Sequence, residues 1–211
     1  MRQARLEEME EVRKRDLYEV VDESECWRSL GTEPIGTRWV DVNKGAHVNP
    51  EYRSRRVAQD IKREKREELF AATPPLEALN IFISMSISQV EDRRHDKAVR
   101  NIEFIDVRRA DFHATVRRIL YVQLPAEANA GQGTCGRLKK AMDGTHDAAQ
   151  NGEAAYTRFM ESVGFRMGVS TPCVFFHGGR DMRVVLHGDD FTILGKDTQL
   201  DWFRGEMKKG V

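Results

Sequence analysis

The sequence predicts a chain of mixed class, helices together with antiparallel β-hairpins, and three observations predict it. Val184 to Leu194, Val-Val-Leu-His-Gly-Asp-Asp-Phe-Thr-Ile-Leu, places two runs of apolar strand formers around a tight Gly-Asp-Asp. Gly36 to Val42 alternates like a half-buried strand, and Tyr52 to Ile61 can return beside it after the turn residues Gly45, Asn49 and Pro50. Helical spacing of apolar residues marks Arg2 to Val21, Leu76 to Ile87 and Ala148 to Val163.

The tip of the later hairpin carries two adjacent carboxylates, Asp189 and Asp190. Such a pair repels unless a cation lies between them, and a hard cation such as Mg²⁺ takes oxygen ligands. Gly and Asp are also ordinary turn residues, so this short motif leaves both readings open.

Composition bounds the alternatives. A length of 211 residues suffices for one sizeable domain or two small lobes. Charged residues make up 32% against 40% hydrophobic, which describes a globular but polar chain. The formal net charge is +0. Nothing global therefore draws the chain to nucleic acid or to a membrane, and any polyanion contact needs a local basic patch. Cys26, Cys135 and Cys173 lie far apart without Cys-x-x-Cys spacing, which argues against a zinc ribbon or a disulfide framework and suits a reducing compartment. No apolar run reaches membrane-spanning length and the start is charged rather than signal-like. The expectation is a soluble, intracellular protein.

The elements follow in order. Arg2 to Val21 reads as one helix, with Leu6, Met9, Val12, Leu17, Val20 and Val21 at three- and four-residue steps. Trp27 to Ile35 reads as irregular, punctuated by Gly31 and Pro34. The return leg of the first hairpin is basic, with Arg53, Arg55 and Arg56 ahead of Lys62, Arg63, Lys65 and Arg66. Arginine forks match phosphate oxygens, but a solvated strand partly neutralised by Asp60, Glu64, Glu67 and Glu68 fits the same residues. Thr73 is a candidate cap for a helix opened by Pro74 and Pro75, with an apolar stripe of Leu76, Leu79, Ile83 and Ile87 widened by Phe82 and Met85.

Ile102 to Val107 is a strand whose apolar run ends at Asp106, and charges are seldom buried unless paired or on a metal. Leu120 to Leu124 reads as a short strand, Glu127 to Gly133 as a loop, and Leu138 to Met142 as the start of a segment broken by Gly144. Ala155, Phe159 and Val163 mark one face of the next helix, which Gly164 stops. Cys173 to Phe176 is a strand, and Gly178-Gly179 turns into the later hairpin. Leu200, Phe203 and Met207 mark a last helix.

Asp106 at one strand end and Asp189 and Asp190 at a hairpin tip can converge on two divalent ions, the layout for phosphoryl or nucleotidyl transfer. At this point the sequence resembles the reverse transcriptase of copia-type long-terminal-repeat retrotransposons. Phe104-Ile105-Asp106-Val107 is similar to the family's first catalytic strand, and His187-Gly188-Asp189-Asp190 to its Tyr-x-Asp-Asp box. Pro34-Ile35-Gly36-Thr37-Arg38-Trp39-Val40 and Tyr52-Arg53-Ser54-Arg55-Arg56-Val57-Ala58 are similar to its fingers. Leu69-Phe70-Ala71-Ala72-Thr73-Pro74 resembles its Phe-Ala-Pro stretch, and Gly164-Phe165 with Pro172-Cys173 the approach to the hairpin. The resemblance runs in order through nearly the whole chain.

The resemblance implies an α+β fold, the fingers and palm of a right-hand polymerase with an antiparallel palm sheet. It implies a helical lead-in over 1–24, fingers over 25–100 and a palm over 101–211. It implies that Asp106, Asp189 and Asp190 hold Mg²⁺ or Mn²⁺ with help from the Val107 carbonyl. It implies that Arg53 and Arg55 hold the triphosphate of an incoming dNTP, with Asp111 and Phe112 near its sugar. The implied partners are an RNA or DNA template-primer and the rest of a retrotransposon polyprotein, with ribonuclease H and integrase. No membrane partner is implied.

Departures accompany the likeness. His187 stands for the family's usual Tyr, Asp111 for an aromatic, Asp143 for Tyr, Asp147 for Gln and Gly152 for Trp. The chain also stops soon after the hairpin, before the family's thumb and primer grip. The expectation is a fragment that extends primers poorly. Two further readings stand beside it: a catalytically silent remnant that binds nucleic acid weakly, and an unrelated two-metal hydrolase.

Overall fold

The structure, a computed structural model, describes residues 1–60, 73–88, 99–107, 114–146 and 148–210. It forms two compact units, each built from two stretches: Met1–Leu69 with Asp111–Gly152, and Phe70–Ala110 with Glu153–Val211.

In the first unit, helix α1 (Arg2–Lys14) ends well before Val21. Asp16 takes a positive φ of 51°, and Tyr18–Asp22 continues as strand β1 rather than helix. Tyr18, Val20 and Val21 are strand formers whose side chains lose rotamer freedom in a helix. Strand β1 instead pairs with β6 (Thr134–Leu138), which pairs on its other side with β5 (Tyr121–Gln123). The single long helix expected over Arg2 to Val21 is therefore a helix and a strand.

Helix α2 (Glu23–Leu30) extends into Trp27–Leu30, the first part of a stretch expected to be irregular. The Asp22 carboxylate caps its start by accepting from the Ser24 amide at 2.8 Å, and Gly31 closes it at φ 66°. Met9 and Val12 of α1 pack with Leu17, Ala58, Leu120, Val122, Leu138 and Met142.

Strands β2 (Thr37–Asn43) and β3 (Tyr52–Ala58) form the expected early hairpin. Cross-strand partners share a face, and faces alternate along each strand. Trp39, Asp41, Ser54, Arg56 and Ala58 therefore share one face, which packs toward α1: Arg5 reaches Asp41 at 2.5 Å, and Ala58 and Trp39 join the core of Met9 and Val12. Arg38, Val40, Val42, Arg53, Arg55 and Val57 share the other.

The second unit holds a five-stranded antiparallel sheet in the order β4 (Asn101–Asp106), β10 (Asp190–Gly195), β9 (Met182–His187), β8 (Val174–His177), β7 (Arg166–Met167). One face is lined by Phe175, Met182, Val184, Leu186, Phe191 and Ile193. It is covered by Tyr156 and Met160 of α4 (Ala148–Ser162) and by Leu200, Phe203 and Met207 of α5 (Asp197–Gly210). The line buried by α4 is thus Tyr156 and Met160, with Phe159 and Val163 at its margin. The opposite face presents Val185 and Leu194 to Phe82 of α3 (Leu76–Ile87).

The stripe expected on α3 is rotated. Leu79, Phe82 and Met85 face the sheet, whereas Leu76 is 69% and Ile87 75% exposed and Ile83 is also exposed. This helix is apolar on nearly every side, so its periodicity does not single out one face, and the largest side chain finds the sheet. Its cap position is Pro75, without a side-chain hydrogen bond, so Thr73 does not cap it.

These contacts set stability. Replacing the buried Phe203 with Ala should cost about 3–5 kcal/mol in urea unfolding, as large-to-small core changes do. Ile87→Gln should change stability by less than about 0.5 kcal/mol, being exposed. Gly152 lies inside α4, and a Cβ built there meets nothing within 4 Å. Gly152→Ala should therefore stabilise by about 0.5–1 kcal/mol, because glycine loses more freedom in a helix than alanine does.

Candidate functional site

The later hairpin turns as its residues require. Gly188, the first of two central residues, has φ 62°, which a two-residue hairpin turn beginning with glycine needs. His187 pairs with Asp190 across it. On its other edge β10 pairs with β4, and Asp190 lies directly opposite Asp106. The Val107 amide donates to the Asp189 carbonyl at 3.0 Å, so the opposed Asp106 and Asp190 form a non-hydrogen-bonded pair. In such pairs the Cα atoms stand about 4.5 Å apart and the side chains are close.

Phe191 and Ile193 point into the core, and so do Ile105 and Val107. By alternation, Asp106, Asp190 and His187 share the other face, and all three are exposed, with Asp189 half-buried at the tip. Like charges directly opposed are destabilising unless something neutralises them.

Among the described residues no side chain pairs with these three carboxylates. Their all-oxygen donors suit Mg²⁺ or Mn²⁺. Among the described residues no group of three or more His, Cys, Asp or Glu side chains stands close enough to hold a metal. Asp106 and Asp190 are therefore the opposed pair, and Asp189 is their neighbour in the turn.

The early hairpin is described by itself. Arg53 and Arg55 share its outer face with Arg38, and Arg55 meets Asp143 at 3.6 Å. Arg56 faces inward. Its guanidinium lies 5.3 Å from the Trp39 ring, it donates to Thr37, and burial lowers its pKa. The basic return leg thus splits by alternation into two outward arginines and one structural one.

Asp111 and Phe112, the residues expected near the nucleotide sugar, lie outside the described residues, and so does Asp147. Two further residues stand beside these sites. Arg38 pairs with Val57, and a period-two count from Arg53 across the hairpin would have found it. Phe104 is 76% exposed and stands two residues before Asp106 on the same face of β4, where its apolar character suggests core.

Residues 16–211 match the family described as Reverse transcriptase (RNA-dependent DNA polymerase). The chain belongs to that family. No curated protein matches it. Membership brings the α+β character and the activity class together: reverse transcriptases are RNA-directed DNA polymerases, nucleotidyltransferases that act on a template-primer and dNTPs and generally use divalent metals. Among the described residues no helix is long and apolar enough to cross a membrane.

The three cysteines of this reverse transcriptase domain are buried and free. Burial pushes the Cys135 thiol up to about 11, with Cys26 and nearby carboxylates adding to the shift. Burial likewise raises Cys26 and Cys173. A thiol disulfide reagent at pH 8 should therefore label the native chain slowly and the urea-unfolded chain fast. Cys135 is held protonated when folded, above its ordinary 9.0. Its contribution to stability should be complete below pH 9.0 and decline as pH rises toward about 11. Alkaline unfolding of Cys135→Ala should show a shallower decline over that window.

Proposed function

We propose that this chain carries the fingers and palm of a copia-type retrotransposon reverse transcriptase, joining dNTPs to a primer 3′-hydroxyl by two-metal nucleotidyl transfer. The observation that carries the reading is Asp106 directly opposite Asp190 beside the Gly188–Asp189 tip, in a chain of the reverse transcriptase family. The palm is the five-stranded sheet, whose strands all fall within 101–211, and the fingers are the β2–β3 hairpin within 25–100.

Each residue has a role in this reading. Asp106, Asp189 and Asp190 supply carboxylate oxygens to Mg²⁺ or Mn²⁺, with the Val107 carbonyl as a further donor. Bound divalent ions would activate the attacking oxygen and stabilise the leaving one. Arg53 and Arg55 neutralise the triphosphate by paired N–H donation. Asp111 and Phe112 are the residues this reading assigns to the nucleotide sugar. The partners are a template-primer and, within a retrotransposon polyprotein, ribonuclease H and integrase.

A second reading, a catalytically silent remnant with weak nucleic-acid binding, is favoured by one observation. No three metal-ligating side chains are gathered among the described residues.

Mg²⁺- or Mn²⁺-dependent extension of a DNA primer on an RNA template separates the two. On the enzyme reading Asp106→Asn, Asp189→Asn and Asp190→Asn each lower extension at least about a hundredfold, because mispositioned reactants cost that much. Arg53→Ala with Arg55→Ala raises the Michaelis constant for dNTP more than it alters primer binding. Absence of extension by the native chain with either metal favours the remnant.

A further inference from the structure

We propose that Asp143 is an internal competitor for Arg55, so that polyphosphate binding on the Arg38–Arg53–Arg55 face is restrained by the protein's own carboxylate. The proposal rests on the reading that this face takes the nucleotide's phosphates.

Three observations carry it. Asp143 Oδ2 lies 3.6 Å from Arg55 Nη1. Both side chains are partly exposed, and an exposed pair of this kind adds little to stability. What the contact changes is the availability of the guanidinium, since a carboxylate and a phosphate oxygen want the same N–H donors.

The backbone that carries this carboxylate is also held where it stands. The Ala58 amide at the end of β3 donates to the Asp143 carbonyl at 2.7 Å. Gly144 has φ 82°, and a Cβ there would fall 2.1 Å from the Ala58 carbonyl oxygen. Only glycine lets the turn approach the strand so closely. One turn further, the Asp60 carboxylate accepts from the His146 amide at 3.1 Å and from Arg118 at 2.5 Å. The segment is tied at Asp143 to the end of β3 and at His146 to Asp60 just beyond it.

Third, the neighbouring cations differ. Among the described residues no ion pair engages Arg38 or Arg53, whereas Arg55 is engaged. Asp143 thus removes one of three cations from an otherwise open basic face and adds a negative charge where a polyanion would approach.

The test is equilibrium binding of inorganic triphosphate to the full chain at low ionic strength, where surface charge is least screened. Native, Asp143→Asn, Arg55→Ala and the double variant are compared. Asp143→Asn should tighten triphosphate binding about fivefold, the effect in water of one unit charge ~4 Å from another. In the Arg55→Ala background the same change should tighten binding less than about twofold, because its partner is gone. Unchanged binding in Asp143→Asn would overturn the proposal, and so would an equal gain with and without Arg55. If the native chain extends primers but Asp143→Asn binds triphosphate no better, this inference falls alone. If neither native nor Asp143→Asn binds triphosphate, the phosphate role of the face falls with it. Melting temperatures of the four chains within a few degrees of one another keep these comparisons on folded protein.

Discussion

Strand β10 is paired along both edges and buried along both faces, and the geometry of the carboxylates depends on that double constraint. Phe191 and Ile193 reach the core under α4 and α5, while Leu194 meets Phe82 of α3 from the other side. A slip of one residue against β4 or β9 would drive every one of these side chains to the wrong face. The register is therefore fixed by apolar burial, and Asp190 must emerge where the strand begins. Its position opposite Asp106 is a consequence of the packing of the residues that follow it along β10. The repulsion between two opposed carboxylates is small beside the burial that holds the strands, so the fold can carry an arrangement that is locally unfavourable.

Strands with alternating or continuously apolar runs were legible in the sequence: β2, β4, β9 and β10, together with helices α4 and α5. The missed elements share a physical cause. β6, Thr-Cys-Gly-Arg-Leu, has no alternation, and its stability comes from partners on both edges, a non-local property. The valines of β1 continue the spacing of the preceding helix, while the ladder to β6 decides the outcome. Helix α2 leaves little trace in the sequence although Asp22 and Gly31 bracket it, since its eight residues bury only Cys26. α3 was placed correctly but rotated, because a helix apolar all round carries no periodic signal.

The site was legible to the same degree. Gly-Asp-Asp announced a tip, and the terminal Asp of an apolar strand announced a partner, yet spacing alone does not say that Asp106 would meet Asp190 across a single strand pair. That came from register. Phe104 is the converse case: its type argues for core, and only the side of β4 on which it falls exposes it.

On β3 the alternation of the strand sorts charges that composition treats alike. Arg56 enters the protein beside Trp39 and becomes part of the packing, whereas Arg53 and Arg55 remain outside. A net charge of +0 says nothing of this, because it is a count that does not tell which charges meet. Arg5 is met by Asp41, Arg118 by Asp60, and Arg137 by Glu19 and Glu25. Each pair removes a cation from the pool that a polyanion could use. The outer face of β2 and β3 retains Arg38 and Arg53 outside those pairs, and Arg55 only through its contact with Asp143. Which arginines the fold leaves unpaired is thus a matter of placement and not of composition, and a single aspartate beside a glycine turn is enough to engage Arg55.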